Sequence, residues 1–376
     1  MKLKILSIAA IFFIVAFTGG CFANAENTSD KNVAAKVEKP DPVEEILKSM
    51  SLTEKIGQMV LIGVHGTEMN DDIKFLLNQY HFGGIIFFDR NMQNKAQVKK
   101  FTEDLNAVAN EKVPLFIALD EEGGRVARMK HDLQVMPSQQ EVGLTGNANE
   151  AYDCARLTAQ NLREIGVNIN FAPVADVGRD TRHFSEDPQV VSDFVESAAK
   201  GYESENFFYT LKHFPGIGKS KIDPHKAISD IEDSKAVLEV EDLPPFKKVI
   251  AENDNSKFMV MMGHLKYTAL DDQNPASISP AIITGLLRDE LKFSGVIITD
   301  DLQMGATDNY AENIGVKAVK AGVDIALVCH EYEAQQKVYL SILNAVKSGE
   351  ISEERINESV RRILKMKLQL SKATSY

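Results

Sequence analysis

Short, nearly continuous apolar runs recur along the chain, with amphipathic stretches between them. They are rich in β-branched and aromatic residues, as in MVLIGV, GGIIFF and GVIIT, and they fall at 59–64, 83–88, 114–120, 168–176, 207–214, 257–265, 295–301 and 323–329. Such runs are typical of strands that are buried on both faces of a parallel sheet. The pattern therefore predicts a chain of alternating strands and helices.

The stretches between the runs carry helix signals. Ser51 and Glu54 match a capping box, and Pro280 after Ser279 fits the first turn of a later helix. ANEAYDCARLTAQNLREIG and VYLSILNAVKSG are predicted as amphipathic helices, and the second is expected to end at Gly349. Eight strands alternating with helices over about 320 residues predict a single (β/α)8 TIM-type barrel, with a doubly wound open sheet as the alternative.

Polar residues gather where the predicted strands end. They are Asp120, Asp176, Lys212, His213, His264, Asp300 and Asp301. In a parallel barrel the carboxyl ends of the strands open on one face, which is where active sites are built. A single aspartate after a strand is commonly the cap of the next helix. Capping is a poor account of so many strand ends, so the sequence predicts a site at this face.

Composition narrows the choice of function. The 376 residues are 44% hydrophobic and 26% charged, which is ordinary for a globular protein with a large core. The formal net charge of −12 argues against nonspecific nucleic-acid binding, because that requires a basic face. Cys154 and Cys329 form no disulfide framework or C-x-x-C pattern, so a buried pair of free thiols is expected. No cofactor and no metal is predicted.

The N-terminal segment is predicted to be separate from the fold. MKLK precedes the apolar stretch ILSIAAIFFIVAF, which is shorter than the roughly 20 residues of a membrane-spanning helix and indicates a signal peptide over 1–25. ANA at 23–25 fits a cleavage site, whereas TGGC at 18–21 resembles a bacterial lipobox. The protein is therefore expected to be secreted or anchored through a lipid at Cys21. Residues 26–41 are a polar, flexible linker, and 42–376 form one domain of catalytic size.

The segment HFPGIGKSKIDPH, residues 213–225, raises the question of a phosphate-binding loop. GIGKS matches the end of the pattern G-x-x-x-x-G-K-[ST], but His213 stands where that pattern requires its first glycine. The segment also holds Asp223 and His225, whose side chains would point to the same side of an extended chain. The phosphate-binding interpretation fails, and an Asp–His pair remains to be explained.

Six motifs together resemble a known family. They are LDEEGGRVARM (119–129), NFAPVADV (170–177), RHFSEDP (182–188), KHFPGIGKSKIDPH (212–225), MGHLKY (262–267) and GVIITDDLQMGA (295–306). Each motif alone is weak, but their order and spacing are similar to those of family 3 glycoside hydrolases. In particular they resemble the bacterial β-N-acetylhexosaminidase branch, which acts on cell-wall sugars. The resemblance extends over residues 42–370, nearly the whole chain after the linker.

The resemblance implies a retaining double displacement through a covalent glycosyl-enzyme. Asp300 would be the nucleophile, and the adjacent Asp301 would cap or hydrogen-bond neighbouring structure. The general acid/base would be His225 paired with Asp223, in place of the second carboxylate of most glycosidases. An aspartate beside an imidazole favours the protonated ring, which suits this role. The glycines of the same loop would then hinge a catalytic lid.

Sugar-binding roles also follow from the resemblance, for Asp120, Arg128, Arg182, Lys212 and His213. Two of these have structural alternatives. Arg128 could pair with Glu121 or Glu122 as an ion pair of small energetic worth, and His213 could be an ordinary buried histidine. Lys212 follows a buried apolar run, so it needs a partner whichever role it has.

The 212–225 loop departs from the family pattern, which is close to KHFPGHGDTxxDSH. The replacements are Ile217, Lys219, Ser220 and Pro224. Pro224 stiffens the turn inside the Asp–His pair, and Ile217 and Lys219 remove polar contacts that would hold the loop closed. Slower turnover or an altered preference for the leaving group is expected.

The sequence favours an exo-acting β-N-acetylglucosaminidase that takes a GlcNAc-containing oligosaccharide or muropeptide. A β-glucosidase of the same family is the near alternative. A non-catalytic, surface glycan-binding lipoprotein would suit the linker and Cys21 equally well. A metal-dependent hydrolase is a weaker alternative, because no H-x-H or H-E-x-x-H spacing occurs in the chain.

Overall fold

The computed structural model describes residues 41–108, 113–220 and 229–373. Within this part of the chain, eight parallel strands form one sheet whose two ends meet, with helices around it. The predicted (β/α)8 barrel is therefore confirmed, and the open doubly wound sheet is wrong. The predicted signal peptide and nearly all of the predicted linker lie outside the described residues.

The barrel strands pair in chain order. They are β1 (Val60–Gly63), β2 (Gly84–Ile86), β3 (Phe116–Leu119), β4 (Ile169–Asn170), β5 (Phe208–Phe214), β6 (Phe258–Met262), β7 (Val296–Thr299) and β8 (Ala326–Val328). Val60 of β1 lies opposite Ala326 of β8 in parallel register. A parallel bridge between Ile298 and Ile325 joins β7 to the start of β8 and closes the barrel.

An outer layer of helices covers the strands. The α-helices are α1 (Pro42–Ser49), α2 (Leu52–Gln58), α3 (Asp71–Tyr80), α4 (Lys95–Val108), α5 (Gln139–Leu144), α6 (Ala148–Glu164), α7 (Pro188–Ser204), α8 (Lys235–Glu241), α9 (Pro244–Glu252), α10 (Ile314–Ala321), α11 (Tyr332–Lys347) and α12 (Glu353–Ala373). A helix with π-type hydrogen bonds, Ala281–Glu290, precedes β7. Two short strands, Asp230–Ile231 and Lys266–Tyr267, pair with each other outside the barrel. Among these described helices, none has the length and apolar character needed to cross a bilayer.

The structure has helix ends at the positions where the sequence patterns predicted them. Ser51 Oγ accepts a hydrogen bond from the Glu54 backbone N–H at 3.3 Å, and the Glu54 carboxylate accepts from the Ser51 N–H at 2.7 Å. Ser279 Oγ likewise accepts from the Ile282 N–H at the start of the π-type helix. Helix α11 ends at Lys347, two residues before Gly349, whose φ of 80° is readily adopted only by glycine.

The eight barrel strands are buried along their whole length, so the barrel interior is a packed apolar core. Cys329 follows β8 and is buried, whereas Cys154 on α6 is half-buried; both are free thiols. The expectation of two buried thiols is therefore wrong for Cys154, because it lies on a surface helix with one side towards solvent. Polar side chains begin where the strands end, and these ends define one face of the barrel.

Candidate active site

A cavity of about 460 Å³ opens at the carboxyl ends of the barrel strands. It is lined by the described residues to which the family resemblance gives a catalytic or sugar-binding role: Asp120, Arg128, Arg182, Lys212, His213 and Asp300. Asp176 and His264, which also follow predicted strands, are not among the lining residues. Asp223 and His225, the predicted acid/base pair, lie outside the described residues. Further lining comes from apolar side chains of the barrel floor and from Glu122, which the sequence analysis did not assign to the site.

Lys212, near the end of β5, stands between two carboxylates. Its Nζ lies 2.8 Å from Asp120 Oδ1 and 2.6 Å from Glu122 Oε1. The lysine side chain is only 3% exposed, so these two partners are the charges that compensate its burial. The sequence-based expectation that Lys212 needs a partner is borne out by this geometry.

Arginines extend the arrangement on both sides. Arg128 Nη2 donates to Asp120 Oδ2 at 3.0 Å, and Arg182 binds Glu122 through two hydrogen bonds, Nε–Oε2 at 2.7 Å and Nη2–Oε1 at 2.8 Å. We call Arg128, Asp120, Lys212, Glu122 and Arg182 the charge chain, since positive and negative groups alternate along it. The suggested pairing of Arg128 with the carboxylates of Glu121 or Glu122 is replaced by a pairing with Asp120; only the Arg128 backbone N–H contacts Glu121.

Asp120, Glu122 and Lys212 of the charge chain are ionised at neutral pH. Burial alone raises the pKa of a carboxyl group, but Lys212 and Arg182 outweigh burial at Glu122 and bring its pKa to about 2. Burial is outweighed in the same way at Asp120, where Lys212 and Arg128 lower the pKa. The two carboxylates raise the pKa of Lys212 against the effect of its burial. Charged donors and acceptors are therefore held ready for the hydroxyl groups of a polar ligand.

Glu121 differs from its neighbour Glu122. No cation of the charge chain lies against its carboxylate, which accepts the Arg128 backbone N–H at 2.8 Å, and burial raises its pKa to about 7. Consecutive residues point to opposite sides of an extended segment. Only Glu122 of the two therefore faces the cavity, where it lines the wall.

Asp300, directly after β7, reaches the same cavity. Its Oδ1 accepts the Asp301 N–H at 2.8 Å, and its Oδ2 lies 3.9 Å from His213 Nε2. The side chain is 21% exposed, which is enough for a ligand to reach Oδ2. One oxygen of Asp300 is thus fixed by the backbone, and the other faces the cavity.

Asp301 and His264 support this turn through hydrogen bonds, and Asp301 also lines the cavity. Asp301 Oδ1 accepts the Cys329 N–H at 3.0 Å and the Gln303 N–H at 3.2 Å, as the sequence analysis expected for this residue. His264 Nε2 donates to the Asp301 carbonyl oxygen at 2.9 Å, so its Nδ1 accepts from Ser277 Oγ at 2.7 Å when the ring is neutral. Burial lowers the pKa of His264, which favours that neutral ring. His264 therefore supports the turn that carries Asp300, and it is not among the residues that line the cavity.

The segment that precedes the undescribed residues 221–228 is held by ion pairs. Lys219 Nζ lies 2.8 Å from Asp233 Oδ2, 2.6 Å from Glu241 Oε2 and 2.9 Å from Asp242 Oδ2. The departure at Lys219 was expected only to remove polar contacts. Lys219 makes ion pairs of its own, because carboxylates on and beside α8 surround this position. Ile217 lines the cavity with its side chain.

Comparison with known proteins identifies the family. The family description "Glycosyl hydrolase family 3 N terminal domain" matches residues 51–366. A beta-hexosaminidase of Stenotrophomonas maltophilia (strain K279a) is 36% identical over 290 residues, which cover 72% of this chain and 83% of that protein. Beta-hexosaminidase A of Pseudoalteromonas piscicida is 30% identical over 349 residues, 82% of this chain but 57% of that longer protein.

Structural similarity agrees with the sequence matches. The family 3 beta-N-acetylglucosaminidase from Paenibacillus sp. str. FPU-7 superimposes with a TM-score of 0.83 at 36% identity, over 87% of this chain and 64% of that one. This chain thus spans less than two thirds of that structure and of the Pseudoalteromonas protein, but most of the Stenotrophomonas relative. The family expected from the six motifs is confirmed: the chain belongs to glycoside hydrolase family 3.

Proposed function

We propose that the chain is a retaining exo-β-N-acetylglucosaminidase, which removes terminal β-linked GlcNAc from cell-wall or chitin-type oligosaccharides. The observation that carries the proposal is the position of Asp300, whose free oxygen faces a cavity lined by the charge chain. A carboxylate nucleophile and a set of fixed polar groups are what a retaining glycosidase needs. The relatives named as hexosaminidases and the β-N-acetylglucosaminidase structure support GlcNAc as the sugar.

The first step forms a glycosyl-enzyme. Asp300 Oδ2 attacks the anomeric carbon while the bond from that carbon to the leaving oxygen breaks. His225, held by Asp223 as the family resemblance implies, gives its proton to the leaving oxygen. The charge chain binds the sugar hydroxyls and orients the anomeric carbon towards Asp300.

The second step returns the enzyme to its starting state. Water attacks the anomeric carbon from the side that the leaving group vacated, and His225 takes a proton from it. The bond to Asp300 breaks as the bond to the water oxygen forms, which releases the carboxylate. Two inversions give a product with the β configuration of the substrate. Both steps depend on the same two residues, so their roles can be separated with substrates of different leaving-group quality.

The proposed location rests on the N-terminal sequence. The apolar stretch and TGGC at 18–21 support export with a lipid anchor at Cys21, and ANA at 23–25 supports release as a soluble extracellular protein. Either route would bring the site to cell-wall fragments outside the membrane. Globomycin sensitivity of processing, read by mass spectrometry of the mature N-terminus, distinguishes the two routes.

The test of the proposal is turnover of p-nitrophenyl β-GlcNAc beside p-nitrophenyl β-glucoside. The wild type is expected to favour the GlcNAc substrate, and Asp300→Ala is expected to lose on the order of 10⁴-fold in kcat, about 5.4 kcal/mol of barrier. His225→Ala should lose less on the aryl substrate than on chitobiose, because nitrophenolate leaves without a proton. Preference for the glucoside would favour the β-glucosidase, and binding of GlcNAc glycans without turnover would favour the non-catalytic lipoprotein.

A further inference from the structure

Asp176 lies behind the cavity wall and is not part of the charge chain. It follows β4, is fully buried, and makes three hydrogen bonds with one short stretch of chain. Its Oδ2 lies 2.8 Å from His213 Nδ1, and its Oδ1 accepts the backbone N–H groups of His213 at 3.1 Å and Ile217 at 2.8 Å. One carboxylate therefore touches both the imidazole beside Asp300 and the backbone four residues further on.

The charge of Asp176 decides whether Nδ1 of the His213 ring carries a hydrogen. Burial tends to raise the pKa of this carboxyl group, but His213 and the backbone donors outweigh burial and bring the pKa to about 2. An ionised carboxylate only accepts hydrogen bonds. His213 Nδ1 therefore carries a hydrogen and donates it to Asp176, which leaves Nε2 on the side of Asp300.

The position of Nε2 bears on the nucleophile. His213 Nε2 and Asp300 Oδ2 are 3.9 Å apart, too far for a direct hydrogen bond. A sugar hydroxyl placed between them would bond to the ring nitrogen while its carbon skeleton lies against the nucleophile. A ring turned away from Asp176 would lose this placement.

The other oxygen of Asp176 fixes the chain after β5. Ile217 contributes its side chain to the cavity wall, and its N–H is bound by Asp176 Oδ1. The turn between His213 and Ile217 is closed by one more hydrogen bond, from the Gly216 N–H to the His213 carbonyl oxygen at 2.8 Å. Both ends of this turn are thus hydrogen-bonded to the same buried carboxylate.

We propose that Asp176 is a positioning residue for the glycosidase reaction: it sets the tautomer and ring orientation of His213 beside Asp300 and fixes the wall residue Ile217 to the same point. The proposal deepens, and its kinetic part rests on, the function proposed above. Asp176 does not touch the sugar. It acts through His213 and Ile217, as an outer carboxylate orients a catalytic or metal-binding histidine in other enzymes.

Asp176→Asn separates the effect of Asp176 on the His213 ring from its effect on the backbone of the turn. The amide oxygen can keep the two backbone N–H groups of His213 and Ile217, and this orientation turns the NH2 group towards His213 Nδ1. Nδ1 must then accept instead of donate, which moves the ring hydrogen to Nε2. The variant therefore keeps the backbone contacts and reverses the tautomer, with little change of volume.

The first measurement is the tautomer itself, by ¹⁵N NMR of the histidine-labelled full chain. The chain has 8 histidines, and a His213→Gln sample assigns the signal. In the wild type Nδ1 should be protonated, and in Asp176→Asn it should be unprotonated with hydrogen on Nε2. An unprotonated Nδ1 in the wild type, or the same protonation in both proteins, overturns the proposal. The wild-type spectrum decides its part even if the variant folds poorly.

The second measurement is kinetic and uses a double-mutant cycle with p-nitrophenyl β-GlcNAc. Asp176→Asn should lower kcat by about 10- to 100-fold with KM changed less than about threefold, because a misplaced Nε2 affects the reacting geometry more than overall binding. In a His213→Ala background the same change should cost under about threefold, since its route of action is already gone. Full multiplicative losses would contradict a role through His213.

Controls separate folding from positioning. Asp193→Asn, on the exposed side of α7 where Asp193 pairs with Lys248, should leave both the His213 signal and kcat unchanged. Thermal denaturation of all variants reports the folded fraction to which kcat is normalised. If Asp176→Asn lowers only the melting temperature and leaves the normalised kcat unchanged, Asp176 is structural and the proposal fails. If the wild type turns over no substrate, the proposed function fails while the NMR result still decides the role of Asp176.

Discussion

Two lysines are buried at opposite ends of the barrel. Lys212, at the carboxyl end, is held between Asp120 and Glu122. Lys367, on α12, is fully buried at the amino end, where its Nζ donates to Gln58 Oε1 at 2.7 Å and to the Gly83 carbonyl oxygen, and lies 4.8 Å from the centre of the Phe116 ring. The surroundings move their pKa values in opposite directions: the pKa of Lys212 is raised by its carboxylates, against its burial, and burial lowers that of Lys367 well below the usual value.

The difference shows that burial of an ionisable side chain does not by itself mark a functional site. Lys367 closes the lower end of the barrel with neutral acceptors and an aromatic face. Lys212 belongs to the charge chain, whose five residues line a cavity together with the carboxylate of Asp300. Paired charges that line a cavity distinguish the site. The members of the charge chain come from the segment after β3, from β5 and from the segment before α7.

Lys212→Met should cause the largest losses of stability and turnover among the substitutions at these buried groups. It leaves Asp120 and Glu122 buried without their shared cation, and loss of one member of a buried pair costs about 3–5 kcal/mol. We expect the free energy of unfolding, measured in urea, to fall by this amount. Turnover of p-nitrophenyl β-GlcNAc per folded molecule should fall on the order of 10³-fold, since each 1.36 kcal/mol of lost transition-state binding is tenfold in rate.

Lys367→Met is the matched control, with the same substitution at the other end. No carboxylate is left unpaired, so turnover should be unchanged and the free energy of unfolding should change less than in Lys212→Met.

The contribution of Lys367 to stability should depend on pH with a defined sign. Because the folded-state pKa of Lys367 lies below the unfolded value, the unfolded chain binds more protons between the two. The wild type should therefore gain stability relative to the variant as pH rises towards about 10.4, by up to about 1.4 kcal/mol per pH unit. A flat or falling difference would contradict the account.

Glu122→Gln, with Glu121→Gln as its control, tests the same contrast within two adjacent residues. Glu122 is ionised and binds Arg182 and Lys212, so its neutralisation should lower kcat/KM by about 10- to 100-fold. The pKa of Glu121 is raised to about 7, so glutamine resembles its protonated form. Below pH 7 its replacement should change kcat/KM less than about threefold. Equal losses in both variants would show that the effect comes from local packing.

Much of the architecture was predictable because strand burial leaves a direct trace in the sequence. Each apolar run contains a barrel strand, and the polar residues after them mark the site face. The strands are shorter than the runs, most of all in β4, which spans only Ile169–Asn170 of the run 168–176. Beyond Asn170 the regular strand ends, although Val174 still forms a parallel bridge to Lys212 of β5. Side chains supply other contacts of this segment: Asn170 binds the backbone of Glu121, and Gln139 binds that of Val174.

The residues whose roles could not be predicted from the sequence are those that depend on contacts between distant segments. Glu122 pairs with Arg182, sixty positions later, and nothing local separates it from Glu121 except strand alternation. Asp176 was noticed at a strand end, but its contact with His213 follows from the closed barrel. Lys367 lies in an amphipathic helix, where periodicity alone gives no sign of full burial. Sequence patterns indicate which face a residue occupies, and three-dimensional closure decides its partners.

The central claim is that Asp300 is the nucleophile of a retaining hexosaminidase. The most direct measurement is peptide mass spectrometry after incubation with a 5-fluoro-GlcNAc donor that slows the second step. The account predicts a stoichiometric sugar adduct on the peptide that contains Asp300, absent in Asp300→Ala and in protein first saturated with GlcNAc. An adduct on another residue, or turnover that gives the α anomer without any adduct, would contradict it.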